Sequence, residues 1–157
     1  MAQRTDERAK TPDELEVYTK ALKLSDHILS VCKPRDNKPN NHHIPKRNAG
    51  IGRMMMDDVV AIGADILEAN NIYVGTNIDD AVKLEHYENR IALQEHAKKL
   101  TFRIEHIFKV LHFDQPFAES TCKYMMDLLT ETRELLTNWR ESELRTANAL
   151  KKKLSVL

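Results

Sequence analysis

Apolar residues recur along most of the chain at spacings of three and four, the period of an amphipathic helix. The first stripe follows the motif TPDE at residues 11–14, where a capping hydroxyl, a proline in the first turn and a later glutamate are typical of a helix start. We expect this helix to end near Lys33, because Pro34 follows. Its main apolar positions are Val17, Ala21, Leu24, Ile28 and Val31.

A segment rich in proline and asparagine separates this helix from the next. Residues 34–50 contain three prolines and show no helical period, so the sequence predicts a loop of about 15 residues. The second helix is expected to start between Gly50 and Arg53 and to end near Asn70 and Asn71.

Two longer helices follow. Thr76 or Asn77 is the expected cap of the third, whose apolar stripe ends at His112. Pro116 is expected in the first turn of the fourth, whose buried line ends at Trp139. The sequence therefore predicts an all-α, antiparallel, up-down four-helix bundle over residues 11–142. Residues 1–10 are predicted to be a flexible tail, and residues 143–157 a helical extension or basic tail.

Several apolar side chains, namely Tyr18, Phe102 and Val110, lie away from the main stripes. They indicate either a second buried face, and hence self-association, or scattered apolar residues on the surface. No apolar run approaches the roughly 20 residues needed to cross a bilayer, so we expect no contact with a membrane. Cys32 and Cys122 are too few for a disulfide framework and favour buried thiols in the cytoplasm.

The motifs of common enzymes are missing from the sequence. It has no glycine-rich phosphate loop, nucleophile elbow, His-Glu-x-x-His or Cys-x-x-Cys. A four-helix bundle can hold a di-iron carboxylate site, but the histidines of the third helix stand ten residues apart, at 86, 96 and 106, and therefore rotate around the helix. The pair His42-His43 is a weak metal signal by itself. We therefore expect a non-enzymatic protein without metal or cofactor.

The formal charge is zero, with 24 basic and 24 acidic residues, but the charges are segregated along the chain. Residues 34–53 carry five bases and one acid, 98–112 four bases and one acid, and 140–157 a net +3. Residues 54–97 carry nine acids and two bases. If the basic segments meet at one end of the bundle, they would bind nucleic-acid phosphates. The alternatives are a solvated basic surface, and an acidic surface that docks a basic protein.

Segments of the chain, in order, resemble one known family. VYTKALKLSDHILSV, KRNAGIGRMM, ILEANN, IALQEHAKKLTFRIEHIFKVLHF and YMMDLLTETRELLTNWRES are together similar to the accessory variability determinant proteins of diversity-generating retroelements. The resemblance covers about residues 15–142 and implies a four-helix bundle that assembles as a homopentameric barrel. It also implies a non-catalytic partner of a reverse transcriptase that binds template RNA and DNA/RNA hybrid during error-prone cDNA synthesis.

The candidate nucleic-acid-binding residues combine the basic segments with the positions that match the family. Arg47 and Arg53 match at the start of the second helix, Lys98, Lys99 and Arg103 match in the third, and Arg140 matches the basic residue that follows the tryptophan. The full set is Arg35, Lys38, Lys46, Arg47, Arg53, Lys98, Lys99, Arg103, Lys109 and Arg140. A docking bundle that binds a basic enzyme through its acidic residues, without touching nucleic acid, remains the alternative, and a ferritin-like metal enzyme is a weaker third.

Overall fold

A computed structural model describes residues 15–33 and 41–156 of the chain. In these ranges it contains four α-helices and one short 3-10 helix, and no strand, so the predicted all-helical fold is confirmed. The elements are α1 (Glu16–Cys32), the 3-10 helix Lys46–Asn48, α2 (Ala49–Asn71), α3 (Asp80–Asp114) and α4 (Glu119–Ser155). No helix in the described ranges has a stretch long and apolar enough to span a bilayer.

Each helix packs antiparallel to its neighbours around a common core. α1 contacts α2 and α4, and α3 contacts the same two helices, so the four form a closed ring. Tyr18 near the start of α1 lies against Gly63, whereas Cys32 at its end donates to the carbonyl of Gly52, which shows the opposite direction of α2. Side chains with almost no solvent exposure fill the axis, among them Leu24, Ile28, Met55, Ile62, Ile104, Met125, Leu129 and Leu136.

The described end of the long loop is tied to the bundle. Ile44 is buried, and its backbone amide donates to the carbonyl of Val31 at 3.0 Å. A Cβ atom added to Gly52 would lie 2.5 Å from the Ile44 side chain and 3.2 Å from Cys32 Sγ, so a larger residue here would make Ile44 shift. The register between α1 and α2 therefore depends on local contacts on both sides of the loop.

Three predicted helix starts differ from the structure or lie outside it. The capping motif at residues 11–14 lies outside the described residues, and α1 begins at Glu16 after an extended Leu15. The predicted cap of α3 at Thr76 or Asn77 is wrong, since the helix begins after Asp79. Pro116 does not start α4, which begins at Glu119.

The late start of α4 has a packing cause. Phe117 is buried and stacks on Phe108 of α3 with ring centroids 4.7 Å apart. Its backbone amide donates to Nδ1 of His112 at 3.0 Å, and the amide of Ala118 donates to the carbonyl of Asn41 at 2.7 Å. These two amides are held outside the helix, so the chain turns through non-helical geometry until Glu119.

α3 and α4 are much longer than the other two helices. They contain 35 and 37 residues, against 17 in α1 and 23 in α2. The N-terminal part of α3 therefore continues past the end of α2 and pairs with the last turns of α4, where Lys153 contacts Asp80 at 2.7 Å. We call this two-helix extension the α3–α4 arm. α4 is unbroken through it, and Glu143 and Ala147 are buried there.

A buried ion pair lies where the arm joins the bundle. The side chains of Arg90 and Glu143 are only 9% and 10% exposed. The Glu143 carboxylate accepts hydrogen bonds from Arg90 Nε at 2.9 Å, Gln94 Nε2 at 2.7 Å and Trp139 Nε1 at 3.1 Å. Arg90 also donates to the carbonyl of Ile72, the residue that follows α2, at 3.0 Å. One carboxylate thus links α3 with α4, and one guanidinium links both with α2.

Replacing this carboxylate should be strongly destabilising. We expect Glu143→Ala to lower the free energy of unfolding by about 3–5 kcal/mol, because it leaves the Arg90 guanidinium buried without a counter-ion. Urea denaturation followed by circular dichroism measures the loss. Asp127→Ala is the matched control, since it removes an exposed pair with Lys123 and should change stability too little to measure. Equal effects of the two substitutions would contradict this account.

Burial of His27 makes stability depend on pH. Its ring packs edge-on against Tyr124 with centroids 4.7 Å apart, and burial lowers its pKa below the ordinary value of 6.5. The unfolded chain therefore binds a proton at His27 more tightly than the folded protein does. Neutral His27 contributes to the free energy of unfolding above pH 6.5, and this contribution is lost as the pH falls towards the lower pKa of the folded state.

We expect His27→Gln to weaken the dependence of unfolding free energy on pH between about 7.5 and 5.5. Urea denaturation at several pH values measures this slope for both proteins. His106→Gln, on the exposed surface of α3, is the control and should retain the wild-type slope. Parallel curves for His27→Gln and the wild type would show that His27 does not contribute.

Candidate nucleic-acid interface

The end of α3 meets the start of α2, as the alternation of helix directions predicts. Asp114, the last residue of α3, accepts a hydrogen bond from Arg47 Nη2 and another from Asn48 Nδ2, each at 2.9 Å. The bonds from Asn48 and then Arg47 lower the pKa of this carboxyl group. Two basic segments separated by about 50 positions in the sequence, the start of α2 and the second half of α3, are thus adjacent in the fold.

The start of α2 is electrostatically positive. Asn48 occupies the N-cap position, but its side chain binds Asp114 and forms no capping bond to the helix. The 3-10 helix runs directly into α2, and the amide of Ala49 donates to the carbonyl of Lys46, so the positive end of the helix dipole lies at this 3-10 turn, beside the exposed Lys46 and Arg47. This arrangement is favourable for a phosphate group.

Several of the predicted nucleic-acid-binding residues form ion pairs within the protein. Four pairs involve the candidate set, namely Arg47 with Asp114, Arg103 with Asp58, Lys109 with Glu105 and Arg140 with Glu95, at 2.7–3.0 Å. Arg53, Lys98 and Lys99 form no ion pair with any residue in the described ranges. Arg35 and Lys38 lie outside the described residues. The cations of the interface that remain available for phosphates are therefore Arg53 on α2 and Lys98 and Lys99 on α3.

The fold pairs part of the acidic segment with side chains of other helices. Four of its nine acids form ion pairs with Arg or Lys of α3 or α4, in the pairs Asp58–Arg103, Asp80–Lys153, Glu88–Lys151 and Glu95–Arg140, and Asp65 contacts His96, which is charged only when protonated. Antiparallel packing places the acidic part of α2 beside the basic part of α3, and the acidic part of α3 beside the basic end of α4. Charge that is segregated along the chain is consequently mixed on the surface.

Arg133 on α4 belongs to the interface although its sequence context did not identify it. Its guanidinium lies 3.9 Å from the ring centroid of Phe102, and Nε donates to Thr101 Oγ1 at 3.0 Å. It also pairs with Glu105 at 2.9 Å. Burial alone would raise the pKa of Glu105, but hydrogen bonds from Arg133 and Lys109 lower it overall. The off-stripe position of Phe102 was the only sequence signal of this contact.

A groove of about 260 Å³ runs beside this stack, between α3 and α4. Lys98 and Phe102 line it from α3, and Thr130, Arg133 and Thr137 line it from α4. Glu134 and Asn138 of α4 complete the lining, so the groove combines two cations, one carboxylate, an aromatic ring and hydroxyl groups.

The nearest arrangement to a catalytic pair is Cys122 with His112. Cys122 Sγ lies 3.5 Å from His112 Nδ1, but that nitrogen already accepts the backbone amide of Phe117. Burial raises the pKa of Cys122 and raises that of Cys32 to about 11, so both are thiols at neutral pH. Across residues 15–33 and 41–156, no three His, Cys, Asp or Glu side chains are grouped to hold a metal ion.

The thiols should react slowly in the folded protein. We expect iodoacetamide to modify Cys122 before Cys32, and both more slowly than in the urea-unfolded chain, because thiolate is the reactive form and burial disfavours it. Peptide mass spectrometry over a time course measures the two rates. Faster modification of Cys122 in the folded protein than in the unfolded chain would indicate an activated nucleophile and contradict this interpretation.

Comparison of the chain with known protein families, with curated proteins and with solved structures finds no match.

Proposed function

We propose that this protein is a non-catalytic accessory factor of a retroelement reverse transcriptase, and that it binds template RNA and cDNA during error-prone synthesis. The meeting of the α2 start with the end of α3, through Asp114, is the observation that carries the binding role. It joins Arg47 to the end of α3, and Arg103 of α3 pairs with Asp58, five residues after Arg53. Arg47, Arg53 and Arg103 are positions for which the resemblance implies contact with nucleic acid. The polymerase partner and the retroelement context rest on the resemblance alone.

The binding is electrostatic in this proposal. Arg53, Lys98 and Lys99 contact phosphates and release counter-ions, and the amides at the start of α2 add a fixed positive potential. Arg47 holds Asp114 in an exposed pair, which is weak enough to exchange one anion for another, whereas Arg103 neutralises the buried Asp58. Affinity should therefore fall steeply with salt.

Self-association uses a different surface in this proposal. Leu22 and Leu29, one heptad apart on α1, are exposed, and Val60 on α2 is 68% exposed. The register given by Tyr18 with Gly63 places Val60 level with Leu22, so these side chains lie along one side of the α1–α2 pair. An apolar surface of this kind suits contact between subunits. The pentameric number comes from the resemblance.

Docking of a basic protein through the acidic residues is less well supported, because five of the nine acids of residues 54–97 already contact a side chain of another helix. Asp57, Glu68, Asp79 and Glu85 are those of the acidic segment without an ion pair in the described ranges. Capture of a polymerase by protein that does not retard RNA would favour this alternative.

Charge reversal at the interface tests the proposal. We expect Arg53→Glu with Lys99→Glu to weaken RNA binding by about tenfold or more, and to reduce the slope of log affinity against log salt by about two, one for each lost phosphate contact. Filter binding between about 50 and 200 mM salt measures both quantities. Lys23→Glu, at an exposed position on α1, is the matched control and should leave both unchanged. Absent or salt-insensitive binding by the wild type would disprove the proposal.

A further inference from the structure

The outer face of α3 alternates basic and aromatic side chains. Lys99, Phe102, His106, Lys109 and Phe113 follow one another at spacings of three, four, three and four, so they lie on one side of the helix. All five are exposed in the structure. We call this set the α3 outer face.

Phe113 has no structural role in the core. It is 92% exposed, and its ring stacks with no other ring in the described ranges, whereas the nearby Phe108 and Phe117 stack on each other in the interior. Burying a phenylalanine side chain stabilises a fold, and Phe113 makes no such contribution. The next residue, Asp114, binds Arg47 and Asn48, so Phe113 stands beside the positive start of α2.

The Phe102 ring has one face covered by Arg133 and another side open to a second stacking partner. Arg133 covers one face of its ring at 3.9 Å and is itself fixed by Thr101 and Glu105. The side chain remains 52% exposed and borders the groove that contains Lys98. A flat ring added on the open side would complete a sandwich with the guanidinium.

The two phenylalanines are positioned to act together. They are eleven residues apart, so they lie about 16 Å from each other along the helix axis and about 20° apart around it. Lys109 and Lys99 occupy the same face. Glu105 is the only acid from 98 to 112, and it is neutralised by Arg133 and Lys109. The α3 outer face itself contains two lysines and no acid, although Glu134 lines the groove beside Phe102. This excess of cations opposes contact of the face with a second copy of itself and suits a polyanion.

We infer that the α3 outer face binds single-stranded nucleic acid, with unpaired bases stacked on Phe102 and Phe113 and phosphates held by Lys99. This rests on the proposed nucleic-acid function and narrows it to a strand whose bases are free. A duplex hides the faces of its bases and offers only phosphates, whereas an alternation of cations and aromatic rings is how proteins hold single strands.

The test compares single-stranded and duplex RNA of equal length by fluorescence anisotropy. We expect Phe113→Ala to weaken binding of oligouridylate by about tenfold, the usual effect of losing one stacked base, and to leave duplex binding unchanged. Phe113→Trp should retain single-strand affinity, since it keeps an aromatic face. Val110→Ala removes another exposed apolar side chain of α3 and is the matched control. The exposure of Phe113 means that the fold should survive, which circular dichroism checks.

The outcomes separate this inference from the proposed function. No loss with Phe113→Ala, or an equal loss for single strand and duplex, would overturn the stacking role, while salt-dependent binding lost on charge reversal at Arg53 and Lys99 would keep the proposed function. No binding of any nucleic acid by the wild type would overturn both. A change in subunit number with Phe113→Ala, seen by sedimentation, would assign the face to contact between copies and overturn the inference.

Discussion

The buried pair between Arg90 and Glu143 is the constraint on which the arrangement of the two long helices depends. An uncompensated charge in this position is costly, so α3 and α4 are held in the register that brings the two side chains together. Gln94 and Trp139 complete the carboxylate's hydrogen bonds. A slip of one helical turn would leave both charges without partners. Apolar side chains alone would penalise such a slip less, because one leucine can replace another in a core.

That register decides which surface residues meet farther along the same helices. It places Arg133 over Phe102 and brings Arg140 to Glu95 at 2.7 Å. It also sets the width of the groove beside Lys98, because the groove is formed by both helices. The candidate interface is therefore a property of the helix pair, and a change buried in the arm can alter a surface two or three turns away.

The charge on the surface also depends on which helices pack together. Segments of opposite sign lie on consecutive antiparallel helices, so most acids of α2 and α3 find cations across a helix boundary. Of the candidate cations, Arg53 on α2 and Lys98 and Lys99 on α3 remain outside these pairs in the described residues. A neutral protein can present cations to a polyanion when its acids are paired with other side chains. The exposed apolar residues of α1 and α2 are different residues from these cations, so the proposed self-association and the proposed nucleic-acid binding use separate side chains.

The 3.6-residue period of the sequence predicts four helices, and the short connections predict that the start of α2 meets the end of α3 if the helices alternate in direction. Both signals are local properties. The start of α4 at Glu119 follows from tertiary packing, because it depends on Phe117 packing against Phe108, and so does the burial of Glu143 in a segment of low apolar density. The pairing of Arg103 with Asp58, and of Arg133 with Phe102, likewise depends on which sides of two helices face each other. Register between distant segments is a collective result of packing, and periodicity within one segment contains no information about it.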